Sequence, residues 1–438
     1  MSEWSAQLAA DLPQDNGAQP DWLKALRVAG AEQFRLHGLP TRKDEAWKYT
    51  GIGALEQHGT QLAKGSEAGT ASFATAVTAV GCQINMQDGC MLETSAELPA
   101  GVTLLSLEEA LNSGVNGLQS LLESLPESAS KKLSSDGFSA LNSATLENGM
   151  VIHVAAGSNA GRLLVNWSTT SGATARMFNS RICLILEAGA ELELLEQFET
   201  PHLNNNTSNI VVQVELGEGA SLQHVRLQQE SDEAGLITRT EVKQRADSEY
   251  AYYGFDLGGG LVRHDLHCSL LGRGAKTSLN GAYLLDGNRH VDNHARVDHV
   301  APDGFSEQYF RGVAGGSGKA VFNTTVYIHR GADGAEAKQS NANILLSKRA
   351  EIDTKPELEI YADEVIASHG ATVGQLDEQA IFYMRSRGLS ESQARQLMTT
   401  AFCRSVSDKL ASGKMADGDL AEAIAQRMMD VMPQAESG

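Results

Sequence analysis

From Gly149 to about Thr372 the apolar positions recur at every second residue in short runs. VIHVAAG, RLLVNW, CLILEAGAELELLEQF, NIVVQVELGEGASLQHVRLQ and SEYAYYGFDL are among them. Alternation of this kind, broken by small turn residues, predicts strands. The breaks are regular: Gly189-Ala190, Gly219-Ala220, Asp247-Ser248, Gly274-Ala275, Asp303-Gly304 and Gly331-Ala332 each precede a new run, at intervals of 27 to 30 residues. A fixed period of this size is the signature of a stacked solenoid, and strands this short suit a β-helix. A β-sandwich accepts the same strand lengths. The even spacing across six turns favours the β-helix.

On either side the period becomes helical. Residues 21–40, DWLKALRVAGAEQFRLHGLP, read as an amphipathic helix with Asp21 as N-cap, Trp22, Leu26 and Ala29 as its stripe, and Gly38 and Pro40 as its end. Residues 51–81 are rich in Gly, Ala, Ser and Thr and read as a connector; Thr103 to Asn142 reads as a helical insertion. Near the end of the β region, Glu357, Glu359, Tyr361 and Asp363 alternate with Leu358, Ile360 and Ala362, which predicts one solvent-facing row of a strand. Ser368-His369-Gly370-Ala371-Thr372 reads as a turn that leaves His369 at the end of a sheet. Asp377 to Ser386 is helical and stops at Gly388. Ser390-x-x-Gln393 is a capping box opening a helix with the stripe Ala394, Leu397, Met398, Ala401, Phe402 and Val406. Asp419 caps a last helix carrying Leu420, Ile424, Met428 and Val431. These helices either cap the last rung or form a docking module. The expected organisation is a helical region at 1–60, a connector with a partly helical insertion at 61–148, the β-helix at 149–374 and a helical domain at 375–438.

At 438 residues the chain is too long for one ordinary compact core, which agrees with an elongated repeat. A net charge of −20, with no block of five basic residues, argues against a nucleic-acid surface. No run of eighteen apolar residues exists to span a membrane. The first residues, MSEWSAQLAADLPQDNG, lack the apolar core of a secretion signal. The five scattered cysteines suit reduced thiols in a cytoplasm.

Several clusters invite chemistry. In a strand, His290, Asp292 and His294 share one face and have the donor set for a divalent ion, with a polar outer ladder as the plainer reading; His299 faces the other way. His264 and His267 point to opposite faces and cannot chelate together. Gly312 to Ala320, GVAGGSGKA, imitates a phosphate-binding loop but has five residues between Gly312 and Gly318-Lys319, and Ala320 where a Ser or Thr belongs. It reads as a glycine-rich turn. No Gly-x-Ser-x-Gly elbow is present, and Cys268 reads as a core thiol. Asp353, Glu357 and Glu359 would serve a β-helical carbohydrate-active enzyme, a reading weakened by an aromatic content of 5%. His369 is either a histidine bonded to a backbone carbonyl or a ligand.

One family accounts for most of these patterns. Asn341-x-Asn343, Leu345-Leu346-Ser347, Thr354-Lys355-Pro356-x-Leu358-x-Ile360, Ser368-His369-Gly370-Ala371-Thr372-Val373-Gly374 and Phe382-Tyr383-x-x-Ser386-Arg387-Gly388 resemble the core signature of the SufB/SufD family, scaffolds of the SUF iron–sulfur cluster assembly system. Glu45-x-Trp47-Lys48-Tyr49-Thr50 resembles the family's N-terminal element and, with the chain length, points to its SufD branch. The resemblance implies a right-handed parallel β-helix and a non-catalytic, cytoplasmic scaffold. It implies pairing with a SufB-like subunit through the β-helix and docking of the ATPase SufC through the C-terminal helices, with Phe382, Tyr383, Arg385, Arg387, Leu397 and Phe402 as contact residues. The isolated chain is open to homodimer formation. The resemblance further makes His369 a ligand or entry point for iron or sulfide at the SufB interface, with a transient iron–sulfur cluster and a reduced flavin belonging to the complex. Ala367 stands where many relatives carry a cysteine, so any thiolates there come from the partner.

Overall fold

Small residues at regular intervals let the chain reverse direction, and the strands between them stack. The computed structural model describes residues 2–13, 20–63, 73–74, 76–77, 82–94, 97–125, 136–170, 172, 174–200, 203–413 and 418–433. From residue 149 onward, strands are laid down alternately in two sheets of ten strands each. The first sheet takes Gly149–Val154, Arg176–Leu186, Thr207–Leu216, Gly235–Gln244, Leu261–Leu270, His290–His299, Lys319–Ile328 and Glu351–Ile360. The second takes Asn159–Ser168, Glu191–Phe198, Ser221–Gln228, Glu249–Asp256, Lys276–Leu285, Phe305–Ala314, Glu336–Leu345 and Ile366–Gly374. Each strand pairs in parallel with the strand of its own sheet one rung later, so side chains form columns: His224, Tyr252, Leu279, Gln308, Gln339 and His369 are successive register partners. The fold is a parallel β-solenoid flanked by helices.

The turns explain the period. Gly189, Gly219, Asp247, Gly274 and Asp303 all have φ between 55° and 71°, and each donates its amide to a carbonyl one rung on, Gly189 to Glu218 at 2.8 Å and Asp247 to Arg273 at 2.9 Å. Glycine takes this left-handed conformation without steric cost, and aspartate tolerates it better than most residues. At the next rung the equivalent residue is Gly334, bonded to Glu364, rather than Gly331, because the turn there is longer.

Apolar side chains from both inner faces, among them Leu194, Leu222, Val214, Val242, Val297 and Leu285, fill the space between the sheets. The outer faces are covered as well, so Ser221–Gln228 is buried at every position. Strands buried on both sides lose strict alternation. Leu23, Phe138, Leu118 and Trp47 of the N-terminal part pack on Val151, Cys183, Met177 and Leu261 of the first sheet. The C-terminal helices Glu391–Ala411 and Gly418–Asp430 fold back along the second sheet, where Cys403, Val406, Leu410, Leu420, Ile424 and Met428 meet Leu195, Val225, Phe255, Leu284 and Val313. They line the flank of the solenoid rather than capping its last rung.

Several sequence expectations shift. Asp21 is the first helical residue of Asp21–His37, after Pro20, and the buried stripe is Leu23, Arg27, Gly30, Ala31 and Phe34, one position on from the expected one. Arg27 joins it by donating to the Leu146 carbonyl. Thr103 lies in a strand, Val102–Ser106, because its residues pair antiparallel with Gly149–Val154; helices follow at Leu107–Ser113, Leu118–Glu123 and Gly137–Ala144, and 126–135 lie outside the described residues. Much of the connector at 51–81 also lies outside them. The sheets recruit Cys82–Gln87, parallel to Asn159–Ser168, well before residue 149. The strand Glu351–Ile360 ends before Tyr361 and Asp363, and Ile360 is itself exposed, so the four-residue row reduces to Glu357 and Glu359. Ser368–Thr372 is not a turn: it lies inside the strand Ile366–Gly374.

Because the last helix is attached by side-chain packing, Ile424→Ala is expected to cost about 2–5 kcal/mol in denaturant unfolding.

Candidate functional site

The solenoid stops at Glu351–Ile360 and Ile366–Gly374, and each of these strands ends the order of its sheet. Ile360, Tyr361, Ile366 and Val373 are exposed here, Ile366 to 66%. The strand Ile366–Gly374 is exposed at every position except Ala367 and Ala371, which are half-buried. Ala367 packs on the solenoid core, and His369 occupies the same face two residues later, in register with buried Gln339. Gln339 Nε2 donates to Thr324 Oγ1 at 3.1 Å, and Thr324 donates to Gln308. A polar column therefore leads up the inner face to His369. His369 is exposed, with no hydrogen-bond partner among the described residues, so it is not a histidine fixed to a backbone carbonyl.

Beside this open end lies Glu378–Ser386, capped by Asp377, whose side chain accepts from Gln379 N at 2.8 Å. Ile381 points inward, while Phe382 and Tyr383 are 72% and 59% exposed. Arg387 lies 5.2 Å from the Tyr383 ring, and Arg385 pairs with Glu391 at 3.2 Å. Ser390 and Gln393 form the expected capping box of the long helix. Its buried face is Ala394, Thr399, Cys403, Val406, Ser407 and Leu410; Leu397 and Ala401 are exposed. Phe402 is half-buried against the second sheet, within 5.8 Å of Arg311. Phe382, Tyr383, Arg385, Arg387 and Leu397 thus offer an exposed surface, which Phe402 does not join.

His290, Asp292 and His294 do share one outer face, but their donors are engaged. Arg263, fully buried, donates to Asp292 Oδ2 at 2.6 Å, to the Ala46 carbonyl at 2.7 Å and to Asp265 at 2.8 Å, and its Nη1 lies 3.3 Å from His294 Nε2. Trp47 covers the guanidinium at 4.0 Å. Thr50 donates to Asp292 at 2.5 Å and lies 3.0 Å from His290 Nε2. Arg263 holds the Asp292 carboxyl well below the usual range, and burial lowers His290 to about 4. The guanidinium sits where an ion would need to be. Among the described residues no group of three or more His, Cys, Asp or Glu side chains is arranged to hold a metal ion.

The other histidines divide as the strand period requires. His264 is interior, bonded to Thr238 and pushed well below its ordinary value by burial. His267 is exterior, 3.0 Å from Glu241 and 2.7 Å from Asp298, and these carboxylates raise it to about 9 against the cost of burial. His299 is interior beside Ser306 at 2.8 Å. In the glycine-rich turn, the amides of Gly315, Ser317 and Lys319 donate to the carbonyls of Leu285, Gly287 and Arg289, and Lys319 Nζ pairs with Glu351 at 2.7 Å. Neither the amides nor the amine is free for phosphate. Asp353, Glu357 and Glu359 lie along the outer edge strand, with Glu357 paired to Lys355 at 2.9 Å. A cavity of about 390 Å³ lies elsewhere, lined by Asp11, Asp88, Glu147 and Phe178.

The exposed histidine on a terminal rung and the clamped N-terminal element coincide with the two parts of one family. Residues 168–402 match the model described as SUF system FeS cluster assembly, SufBD core domain, and residues 15–164 match the SufBD protein N-terminal region. The chain belongs to the SufBD family. It is 27% identical to the iron–sulfur cluster assembly protein SufD of Escherichia coli, over 92% of this chain and 95% of that protein. It is 28% identical to an iron–sulfur cluster assembly SufBD family protein of Synechocystis, over 90% and 89%, and 28% identical to protein ABCI7, chloroplastic, of Arabidopsis thaliana, over 94% and 88%. This SufD-like chain is therefore an iron–sulfur cluster assembly protein of the SUF system.

Sequence reasoning missed the polar interior of this SufBD solenoid. Glu196 and His224 meet at 2.7 Å and Arg226 and Asp256 at 2.7 Å, all four buried between the sheets. Their signal was present: polar residues at the inward positions of otherwise apolar strands. The N-terminal clamp also went unread, because its partners are more than 200 residues away in the chain.

Two consequences are measurable. Arg263→Ala leaves the buried Asp292 without its guanidinium, with Thr50 and His294 beside it, and the expected loss is about 3–5 kcal/mol in chemical unfolding; lysine, lacking the planar fork, is not expected to restore it. His267 is raised from its unfolded value near 6.5, so its contribution is full below that pH and is lost as pH rises through about 9. The melting-temperature gap between wild type and His267→Gln is expected to be widest at pH 6 and to narrow by pH 9.5.

Proposed function

We propose that this chain is a non-catalytic scaffold subunit that pairs with a SufB-like solenoid through its open C-terminal rung, docks a SufC-like ATPase on its C-terminal helices, and contributes His369 to cluster assembly at the SufB interface. The observation that carries the reading is the terminal rung. Both final strands have a neighbour on one side only, with apolar side chains exposed beside them. Such an edge templates pairing with another chain and is a liability unless covered. A second solenoid of the same family supplies a matching edge.

The chemistry of the chain fits a contributing role. Neutral imidazole is a suitable iron ligand. Thiolates are the sulfur ligands of clusters, and burial works against them here: Cys183 and Cys403 are pushed up to about 12, Cys90 to about 11, and Cys268 well above its ordinary value. With Ala367 two residues before His369, sulfur ligands come from the partner, and iron and sulfide are cargo assembled between the two chains. The exposed Phe382, Tyr383 and Leu397 offer the ATPase an apolar, arginine-flanked face.

Removing the C-terminal helices would uncover Leu195, Val225 and Leu284, so substitutions test docking more cleanly than truncation. Co-expressed with SufB and SufC homologues, the wild-type chain is expected to co-purify as a three-protein complex. Leu397→Asp with Phe382→Ser is expected to lose SufC and retain SufB. His369→Ala is expected to leave the complex intact and abolish cluster maturation, followed by visible absorbance and iron content. A wild-type chain that binds neither homologue overturns the scaffold reading, and normal maturation in His369→Ala overturns the site.

A further inference from the structure

Asn341 and Asn343 occupy interior positions of Glu336–Leu345, each only 3% exposed, where an amide is costly unless fully bonded. Asn343 Nδ2 donates to Asn341 Oδ1 at 2.6 Å and to the Thr372 carbonyl at 3.0 Å. Asn341 Nδ2 donates to Tyr283 Oη at 3.0 Å, and the Tyr283 hydroxyl donates to Asn343 Oδ1 at 2.5 Å. The three side chains close a ring of hydrogen bonds. Tyr283 reaches it by leaning across Gly312 of the intervening strand: a Cβ there would stand 2.0 Å from Tyr283 Cε2 and 2.3 Å from Asn343 Oδ1. The ring thus spans four successive strands of the second sheet and ends in the last one, at a carbonyl three residues beyond His369.

The same strand is gripped from outside. Arg311 donates to Ser340 Oγ at 3.3 Å while its guanidinium lies 3.7 Å over the Tyr309 ring. Tyr309 Oη donates to Ser405 Oγ of the long C-terminal helix at 3.2 Å. Glu336–Leu345 is therefore a fixed platform, and the ring transfers that fixity to a strand that has a backbone neighbour on one side only. Terminal strands otherwise open locally at low cost.

We propose that Tyr283, Asn341 and Asn343 are positioning residues that pin the terminal strand at Thr372 and so set where the His369 imidazole is presented. The proposal rests on the assignment of His369 made above. It explains why a polar ring, rather than an apolar layer, fills the interior beneath the last rung.

Tyr283→Phe removes one hydroxyl and keeps the ring that fills the space over Gly312, so it tests the idea without opening a cavity. In the full-length chain, amide exchange across Ile366–Gly374 is expected to accelerate on the order of tenfold, with the strands Leu261–Leu270 and His290–His299 unchanged. The NMR chemical shifts of the His369 ring are expected to move, and cluster maturation in the three-protein complex to fall. Thr277→Val, which breaks the buried bond from Thr277 in the strand that carries Tyr283 to Gln244 of the first sheet, is the control for general destabilisation. It is expected to lower the melting temperature and leave both local readouts in place. Terminal-strand exchange in Tyr283→Phe that matches Thr277→Val overturns the proposal. Faster exchange with wild-type maturation, where His369→Ala abolishes it, overturns positioning but keeps His369. Normal maturation in His369→Ala removes the assignment on which the proposal rests.

Discussion

Every inner rung of this solenoid depends on main-chain hydrogen bonds to the rung before and the rung after. An inner strand is not locally self-sufficient: its amides and carbonyls are satisfied by residues about thirty positions away on either side. Regular stacking therefore produces both the stability of the middle and the exposure of the end. The outer faces need cover as well, and the chain supplies it from its two termini. N-terminal helices lie on one sheet and C-terminal helices on the other, while the last strand of each sheet keeps a backbone neighbour on one side only.

That arrangement places an exposed histidine and an open backbone edge on the same rung. His369 projects from the last strand with its inner column of Gln339, Thr324 and Gln308 behind it, and the exposed Phe382–Tyr383 helix begins a few residues further along. The helix that carries Leu397 is tied to the sheet through Tyr309, Lys409 and Glu307, the last two paired at 2.5 Å. Those ties meet the second sheet at Phe305–Ala314, with the single strand Glu336–Leu345 between it and the strand that bears His369.

Much of the architecture was legible because turn chemistry is local. Gly189, Gly219, Asp247, Gly274 and Asp303 announce the left-handed corner by residue type alone, and a column of such corners is a solenoid. The capping box at Ser390 was legible for the same reason. What could not be read was set by distant partners. Trp22 and Leu26 look like the inner face of their helix, yet the sheet and Leu146 select Leu23, Arg27 and Phe34. Ser368–Thr372 has the composition of a turn, but pairing with Glu336–Leu345 draws it straight. His290, Asp292 and His294 have the spacing of a metal site, and only the structure shows that Arg263 and Thr50 already occupy the face. The asparagine pair was visible as a motif, whereas Tyr283, the residue that closes the ring, sits 58 positions upstream of Asn341 and leaves no local trace.

The N-terminal clamp has a kinetic corollary. Arg263 bonds to Ala46 across 217 residues, and Thr50 bonds to Asp292 across 242. Trp47 and Thr50 leave the ribosome long before the strands that receive them exist, an interval of roughly 10–50 s at ordinary rates of synthesis. That early segment can dock only after those strands have been made. Until it docks, the outer face of Leu261–Leu270 and His290–His299 stands open, and folding of the nascent chain finishes by bringing its beginning back across a solenoid already several rungs tall.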